Sequence, residues 1–475
     1  MKNSGYFVLS LIFIFAWNSI YATSCDTIRQ VLTGSLTSKD FFIPKYISVQ
    51  VPKNAIKFSV EQSWHTPDGS KCNIDMGLFD EKGTQLNGKG FRGWSGGARR
   101  SFEISESFAT PGYIPGKIKA GEWNIVQMLV KDVPKVEWKL IVTIVIGKNK
   151  EKPFVPVYAK KQINDLDGWY RIDTHVHTVH SDGKNTPEEV AVLAKNAGLD
   201  GIISTDHNTY SALEHWGKIS QDSLLVINGI EVTYIDGHWN IFGLDPKSWI
   251  DFRFRYTDSE KYQQSVALAK QVGKFTVVNH PYSIEYKYDK SFLDGIEVWN
   301  GPWDETDEKA VQCWNQMLVA GAYKVAIGGS DYHNKNNQIG LPHMVIKSEK
   351  LASDAIIQGI KSGTSYIVRD QTVLLRMMAF DTANPTVRAA IGEYLTANSI
   401  VAIQFSSSVA GTLSFINQQG ICYRGQINAG ETILFHPEKN CKWIRAELRD
   451  SQGNMIALTN PIFITSISQK VQLIP

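Results

Sequence analysis

The stretch Asp173-Thr-His175-Val-His177-Thr-Val-His180-Ser-Asp182-Gly183 is the part of the chain that decides its fold. Two histidines stand two residues apart in it, directly after a short apolar run that ends at Ile172. If that run is a β-strand, the side chains of His175 and His177 point to the same side, because successive side chains alternate between the two faces. Two neutral imidazoles that converge on one point are the beginning of a metal site.

Further potential ligands follow the other strand-like runs in the middle of the chain. Nine of the eleven histidines lie between His175 and His343. The apolar runs 202–204, 224–230, 275–279 and 325–329 are followed by His207, Glu231, His280, Asp331 and His333, and His238 precedes another run. Helical periodicity at 187–197, 259–272, 304–320 and 352–361 predicts helices between the strands. This alternation predicts an α/β barrel or layered sheet, whose functional groups gather at the carboxyl ends of the strands.

Strand-rich regions flank this middle region of residues 165–369. Residues 26–150 contain short alternating runs separated by turn residues, which is typical of a β-sandwich. The charged segment 148–160 contains two prolines and is predicted to be a linker. Short strands return over residues 370–475, with one possible helix at 385–392. We therefore predict an N-terminal and a C-terminal β-sandwich around a central α/β domain.

The first residues have the features of a targeting segment. Lys2 supplies a positive charge, and residues 7–17 form an apolar run that is too short for a comfortable membrane span. We interpret residues 1–22 as a cleaved signal peptide rather than an uncleaved anchor. The mature protein is then exported, periplasmic or secreted, and has no transmembrane span. Lipoprotein anchoring at Cys25 is the less favoured alternative.

Export bears on the five cysteines, because an oxidising compartment permits disulfides. The candidate pairs are Cys25–Cys72 and Cys422–Cys441, which would leave Cys313 free; the alternative is that all five are reduced or buried. With 475 residues, 43% of them hydrophobic, the chain is long enough for two or three domains. A formal charge of +2 does not predict a basic face, so we expect a small-molecule substrate and no stable nucleic-acid complex.

The order of the motifs resembles that of the PHP (polymerase and histidinol phosphatase) superfamily. It runs His-x-His, Ser-Asp-Gly, Thr-Asp-His, Gly-x-Glu, His-Pro and Asp-x-His, and all of these motifs are present between residues 169 and 369. The resemblance implies a distorted (β/α)7 barrel that holds two or three divalent metals. Residues 73–80, 91–100 and 110–116 are similar to the N-terminal β domain of the CehA/McbA branch of this superfamily, which is named for a carbamate-ester hydrolase.

The resemblance also implies a role for each candidate ligand. One metal would take His175, His177, Glu231 and Asp331. A second would share Glu231 and take His238 and His280, and a third would take Asp182, His207 and His333. Such mixed sites rich in imidazole suit Zn, Mn or Fe better than Mg or Ca.

A metal cluster of this kind, together with the predicted signal peptide, predicts an exported metal-dependent hydrolase. We expect a phosphoesterase that uses a hydroxide bridged between the divalent metals. One alternative is the hydrolysis of a carboxylic ester, carbamate or amide at the same site, and another is a non-catalytic binding protein with a vestigial barrel. The candidate catalytic residue is Asp206, as a hydrogen-bond acceptor for a ligating histidine or as a proton shuttle.

Other polar residues receive more ordinary interpretations. We expect the arginines of the glycine-rich loop, Arg92, Arg99 and Arg100, to form an interdomain salt bridge or a solvated turn rather than a phosphate site. His180 is predicted to face solvent, although it could replace Asp182 as a ligand. His215 and His343 are predicted to be structural or surface residues, Asp304 and Glu305 to begin a helix, and Glu297 to lie on a barrel strand without an assigned role.

Overall fold

The structure is a computed structural model that describes residues 26–219, 223–334, 336 and 338–466. The predicted signal peptide, the lipoprotein site at Cys25 and the Cys25–Cys72 pair involve residues outside this range. Among the described residues, none of the helices is long and apolar enough to cross a membrane.

Eight strands form the N-terminal part of the chain. They are β1 (Asp26–Thr37), β2 (Lys45–Val51), β3 (Ala55–His65), β4 (Ile74–Phe79), β5 (Phe91–Trp94), β6 (Ser101–Ser105), β7 (Gly121–Leu129) and β8 (Lys135–Ile146). They form two four-stranded sheets, in the orders β1-β8-β3-β6 and β2-β7-β4-β5. Alternate residues of the strands, such as Phe58, Val60, Ile125 and Val142, are fully buried in one shared core. The two sheets therefore have the sandwich arrangement that the alternating sequence predicts.

The middle part of the chain contains the α-helices of the described residues. Its strands are β9 (Gln162–Asn164), β10 (Gly168–Val176), β11 (Gly201–Ser204), β12 (Leu225–Tyr234), β13 (Gly237–Phe242), β14 (Phe275–Val278), β15 (Gly295–Asn300), β16 (Val325–Gly329), β17 (His343–Ser348), β18 (Leu351–Ala352) and β19 (Ser365–Val368). The helices are α1 (Pro187–Asn196), α2 (Ser259–Val272), α3 (Glu305–Val319) and α4 (Ser353–Lys361), with short 3-10 turns at Ser211–Glu214, Trp216–Lys218 and Lys290–Phe292.

The helices lie where the sequence periodicity predicts them. Thr186 caps α1 with a capping box, and Pro187 occupies its first turn, where it has no hydrogen bond to lose. Asp304 caps α3 by accepting hydrogen bonds from the backbone of Thr306 and Asp307. The expectation that Asp304 and Glu305 begin a helix is met.

The sheet of the middle part does not have the regular strand-helix alternation of the expected (β/α)7 barrel. Strands β10, β11 and β12 are parallel, and so are β14, β15 and β16, but β13 is antiparallel to both of its neighbours. Only two residues, 235 and 236, join β12 to β13, and so short a connection forces an antiparallel pair. With four α-helices in the described residues, the fold is mixed α/β and rich in strands, and a (β/α)7 barrel is not established.

The C-terminal part contains only strands among its described residues. They are β20 (Leu375–Asp381), β21 (Asn384–Ala390), β22 (Tyr394–Ala397), β23 (Val401–Ser407), β24 (Gly411–Asn417), β25 (Gly420–Ile427), β26 (Thr432–Phe435), β27 (Trp443–Arg449), β28 (Met455–Thr459) and β29 (Ile462–Ser466). The possible helix at 385–392 is wrong, because this segment forms β21 and pairs with β20. Strand β19 pairs with β28, so one sheet continues from the middle part into the C-terminal part. Cys422 and Cys441 are free thiols, so the candidate disulfide between them is not formed and the alternative of reduced cysteines holds for this pair.

Candidate metal centre

The nine predicted ligands lie at one end of the middle sheet. His175 belongs to β10, and His177 and Asp182 follow that strand directly. Glu231 lies in β12 and His238 in β13. The remaining four follow the carboxyl ends of their strands, namely His207 after β11, His280 after β14, and Asp331 and His333 after β16. Their side-chain nitrogen and oxygen atoms form four overlapping groups, within each of which all atoms lie within 4.8 Å of one another.

The first group surrounds one carboxylate oxygen of Asp331. Its Oδ1 atom lies 3.3 Å from Nε2 of His175 and 3.1 Å from Nε2 of His177. Glu231 faces the same two nitrogens, each at 3.5 Å. Of the four residues expected for the first metal, the structure groups His175, His177 and Asp331 together, and Glu231 contacts both histidines from two neighbouring groups.

Glu231 also reaches the residues expected for the second metal. Its Oε1 atom lies 3.3 Å from Nδ1 of His238 and 3.2 Å from Nε2 of His280. The structure groups His280 with His175 and Glu231, whereas His238 belongs with His207 and Glu231. The two histidines therefore contact the same carboxylate without forming a single compact group.

The third group contains Asp182, His207 and His333, together with His177. The Oδ1 atom of Asp182 lies 3.2 Å from Nε2 of His333 and 3.5 Å from Nε2 of His207. The Asp182 and His333 side chains are 37% and 23% exposed, whereas those of His175, His177 and Glu231 are fully buried. The centre is therefore open to solvent on the side of Asp182 and His333.

The donor atoms of the centre fit divalent metal ions. Ligands at about 2.0–2.1 Å from a tetrahedral ion are about 3.3–3.4 Å from one another, and the closest separations in the first group run from 3.1 to 3.5 Å. Several of the buried atoms have no hydrogen-bond partner among the described residues: Nε2 of His175, both ring nitrogens of His177, Oδ1 of Asp182, Oε2 of Glu231, Nδ1 of His238 and Oδ1 of Asp331. Since unpartnered buried polar atoms are strongly disfavoured, this concentration of them points to bound cations.

The charges of the centre lead to the same conclusion. Burial opposes ionisation of Glu231, but the neighbouring His207, His175 and His238 outweigh burial and hold the pKa of Glu231 well below its usual value. Burial likewise disfavours the charge of Asp331, yet His175 and His177 keep the pKa of Asp331 well below its usual value. The ion-pair partners of both carboxylates are histidines, which compensate a buried negative charge only when they are protonated. A divalent cation provides that compensation while the imidazoles stay neutral.

Two of the candidate ligands have unusual backbone conformations. His280 has a φ of +23° and Asp331 a φ of +49°, although neither is a glycine. Such conformations cost on the order of 1–3 kcal/mol and concentrate at functional sites, where surrounding contacts hold them in place. Both residues begin a loop at the end of a strand, so the turn directs the side chain back towards Glu231 and His175.

Three polar residues behind the ligands were not predicted to belong to the site. Nδ1 of His175 donates a hydrogen bond to Glu297 at 3.0 Å, which leaves Nε2 facing the centre. His207 is held by Thr233, whose Oγ1 lies 2.6 Å from Nδ1, and Asn279 donates to Oε1 of Glu231 at 2.8 Å. Contacts of this kind orient metal-binding side chains. The only sequence signal for Glu297 is a lone charge within the apolar strand β15.

Asp206 does not make the contact that was predicted for it. Its two carboxylate oxygens accept hydrogen bonds from the backbone nitrogen and hydroxyl of Thr178 and from the hydroxyl of Ser181, at 2.7–2.8 Å. Because these donors occupy both oxygens of a buried side chain, the expected hydrogen bond to a ligating histidine is not formed. Burial raises the pKa of Asp206, although the three hydrogen bonds oppose this shift. Asp206 thus holds the loop that connects His177 to Asp182.

The expectation that His180 faces solvent is wrong. Its side chain is buried, and its Nδ1 atom lies 2.8 Å from the hydroxyl of Ser211. The N-terminal domain covers it, since a Cβ atom on Gly112 would lie 2.9 Å from the carbonyl oxygen of His180. His343 is a buried structural residue, as expected, with Nδ1 2.7 Å from the carbonyl oxygen of Gly340.

The arginines of the N-terminal domain form no salt bridge to the middle part within the described residues. Arg92 is buried and donates to the carbonyl oxygens of Ile114 and Gly116 within its own domain. The guanidinium of Arg100 lies over the ring of Trp64, 4.0 Å from its centre. Arg99 does cross to the middle part, but its acceptors are backbone carbonyl oxygens of the loop that carries Asp182.

Comparisons with known proteins place this centre in a family. The model of the PHP domain matches residues 173–352, and this part of the chain is a PHP domain. An uncharacterized protein of Methanocaldococcus jannaschii is 27% identical over 150 residues, which cover 27% of this chain and 81% of that protein. The matched residues 173–352 include all nine candidate ligands.

Solved structures of two bacterial proteins are also similar. A two-domain protein from Bacteroides vulgatus, which contains a predicted PHP-like metal-dependent phosphoesterase, is 15% identical with a TM-score of 0.39 and covers 66% of this chain and 100% of its own. A protein from Bifidobacterium adolescentis, also described as a metal-dependent phosphoesterase, is 20% identical with a TM-score of 0.28, over 40% of this chain and 94% of its own. The PHP domain and the cluster of His, Asp and Glu side chains in this chain fit a metal-dependent hydrolase.

Proposed function

We propose that this protein is an exported metal-dependent phosphoesterase that acts on a small phosphorylated molecule. The observation that carries the proposal is the concentration of unpartnered, buried donor atoms from His175, His177, Glu231 and Asp331 in neighbouring, overlapping groups. Asp182, His207 and His333 extend the donor set towards solvent. A structural metal would need only one closed set of four ligands, so a centre with several overlapping groups and an open side supports catalysis.

Several features of the centre support phosphoester hydrolysis in particular. Divalent ions held there would activate a water molecule and neutralise the charge of a phosphoryl group. Glu231 faces five of the histidines and belongs to two of the groups. It could therefore help to hold two neighbouring ions, one with His175 and His280 and one with His207 and His238. Asp182 and His333, on the exposed side, would hold the ion that meets the substrate first.

The surrounding residues fix these groups in place. Glu297 orients His175 so that its Nε2 atom faces the centre. Thr233 holds Nδ1 of His207, whose Nε2 atom faces Asp182. Asp206 holds the loop that carries Asp182 by accepting hydrogen bonds from Thr178 and Ser181, and it transfers no proton in this proposal.

We further propose that the middle strands form a distorted (β/α)7 barrel and that the protein belongs to the CehA/McbA branch.

The test is a substrate panel with the purified mature protein, reconstituted with Zn, Mn or Fe(II) and analysed for bound metal by mass spectrometry. Phosphomonoesters, phosphodiesters, carboxylic esters and carbamates are offered to the wild type, to Glu231→Gln and Asp331→Asn, and to the control Glu305→Gln, whose exposed side chain pairs with Lys309. We expect metal-dependent turnover of a phosphoester by the wild type and the control, and none by the two centre variants.

Two results would contradict the proposal. Turnover of esters or carbamates alone would select the other hydrolase chemistry on the same metals. A wild type that binds no metal and turns over nothing would favour a non-catalytic binding protein. Export is tested separately, by locating the protein in cell fractions and sequencing the amino terminus of its mature form, which we expect to follow residue 22.

A further inference from the structure

The loop between His177 and Gly183 carries one of the candidate ligands on the solvent-exposed side of the centre. It is a turn that belongs to no strand or helix. It carries Asp182, whose side chain is the most exposed of the nine candidate ligands. Within the middle part, Asp206 holds its first half through Thr178 and Ser181. Contacts that fix the backbone around a carboxylate ligand also help to hold the ligand in position.

The N-terminal domain supplies that second support through Arg99. One guanidinium nitrogen donates to the carbonyl oxygen of Ser181 at 3.1 Å, and the other donates to the carbonyl oxygen of Val179. Ser181 is the residue directly before Asp182. A guanidinium group can hold two carbonyl oxygens at once because its donors form a rigid fork. The loop is thus held between Asp206 on one side and Arg99 on the other.

The packing around Arg99 is consistent with this support. Gly96 approaches the loop so closely that an added Cβ atom would lie 3.4 Å from Cα of Ser181, and its φ of +59° turns the chain there. A second contact runs through Ser211 of the middle part. Its hydroxyl accepts a hydrogen bond from the backbone nitrogen of Gly112 at 3.0 Å and lies 2.8 Å from Nδ1 of His180. Two independent contacts therefore join the N-terminal domain to the loop of Asp182.

We propose that Arg99 is a positioning residue through which the N-terminal domain holds Asp182 in place as a metal ligand. The inference rests on the proposed metal centre and concerns only the ion at Asp182, His207 and His333. Loss of the Arg99 contacts should weaken the binding of that ion and leave the ions at Glu231 and Asp331 unaffected. The neighbouring Arg100 serves as a matched control, because it has the same charge but lies over Trp64 and away from the loop.

The experiment measures metal stoichiometry and stepwise affinity on the whole mature protein. The wild type, Arg99→Gln, Arg99→Lys, Arg100→Gln and Asp182→Asn are dialysed against graded concentrations of buffered Zn²⁺ or Mn²⁺ and analysed for bound metal. We expect Arg99→Gln to bind one ion about 10–100-fold more weakly, the range typical of residues that support metal ligands. Asp182→Asn should lose the same ion, Arg99→Lys should recover part of its affinity, and Arg100→Gln should match the wild type.

The outcomes separate the inference from the proposed function. If Arg99→Gln binds every ion as tightly as the wild type while Asp182→Asn loses one, the role of Arg99 is wrong and the metal centre stands. If Asp182→Asn binds as many ions as the wild type, or the wild type binds none, the site at Asp182 and the inference fall together. If Arg99→Gln does not fold, Arg99→Lys takes its place in the test. The ion compared is the one that Asp182→Asn loses. If Arg99→Lys binds this ion as tightly as the wild type does, the double contact with the two carbonyl oxygens is not needed and the inference is overturned.

Discussion

Oε1 of Glu297 lies 3.0 Å from Nδ1 of His175, on the side of the ring that faces away from the candidate metal centre. The second oxygen of Glu297 accepts hydrogen bonds from the backbone nitrogen of His280 at 2.9 Å and from the side chain of Asn300 at 3.1 Å. One carboxylate thus holds two candidate ligands from different strands. It fixes the ring of His175 directly. It also holds the backbone of His280, which has a positive φ, through the backbone N–H of His280.

The Glu297→Gln variant should bind metal about 10–100-fold more weakly than the wild type, because an amide holds the imidazole in its metal-binding tautomer less well. Equilibrium dialysis followed by metal analysis measures this change. Far-ultraviolet circular dichroism should stay that of the wild type, since the amide has nearly the same size. Wild-type affinity in Glu297→Gln, with Glu305→Gln as the exposed control, would show that His175 does not need this hydrogen bond.

Removal of metal should lower the melting temperature of the protein. Ions that bind only the folded state stabilise it, by about 2.7 kcal/mol when their free concentration is one hundred times the dissociation constant. Differential scanning calorimetry with and without a chelator should show the decrease, and added Zn²⁺ or Mn²⁺ should reverse it. In Asp331→Asn the same treatment should have a much smaller effect. Equal melting temperatures of the chelated and loaded wild type would speak against cations at this centre.

Gly329 of strand β16 packs closely against the candidate ligand His175. A Cβ atom there would lie 2.6 Å from Cβ and 2.9 Å from the backbone nitrogen of His175. Gly329→Ala should therefore lower the free energy of unfolding by about 1–3 kcal/mol and weaken metal binding. Urea unfolding measures the first effect. The control is Gly168→Ala, whose new methyl group would have no atom closer than 3.8 Å.

Glu214 should make the stability of the protein fall as the pH rises. Burial raises the pKa of Glu214 from 4.5 to about 7, although Lys247, Arg92 and Lys218 partly oppose the shift. Since the folded state holds this proton more tightly than the unfolded state, stability is lost between pH 4.5 and pH 7 and stays lower above that range. Glu214→Gln removes the loss.

The expected result for Glu214→Gln is a higher free energy of unfolding than the wild type at pH 8, by up to about 3 kcal/mol, and no difference at pH 4. Thermal unfolding at the two pH values measures it. The exposed Glu349→Gln should behave like the wild type at both. A stabilisation of equal size at pH 4 and pH 8 would mean that packing, and not ionisation, is responsible.

The candidate ligands could be predicted from the sequence because metal coordination restricts the residue types and their spacing. His175 and His177 follow an apolar run at the period of a β-strand, and Asp331 and His333 repeat the pattern at the end of another strand. Helices α2 and α3 could be predicted for a similar reason, since their apolar periodicity and the cap at Asp304 are local features. Features that depend on residues close to one another in the chain, such as ligand spacing and helix periodicity, could be predicted from the sequence.

Other features depend on residues that are distant in the chain. His175 and Glu297 are 122 residues apart, and nothing near Glu297 indicates that a histidine lies beside it. The burial of His180 depends on Gly112 and Ser211, which belong to different parts of the chain. The sequence of residues 385–392 is compatible with a possible helix, but pairing with β20 outweighs this local preference and the segment forms strand β21.

The sequence by itself determined the candidate metal ligands, their order and the mixed α/β character of the middle region, because each of these follows from residue type and local spacing. Only the tertiary structure decided how the ligands divide into groups, which residues hold them, and that Arg99 of the N-terminal domain reaches the loop of Asp182. The physical reason is that hydrogen bonds and packing act over a few ångströms in space, whatever the separation along the chain.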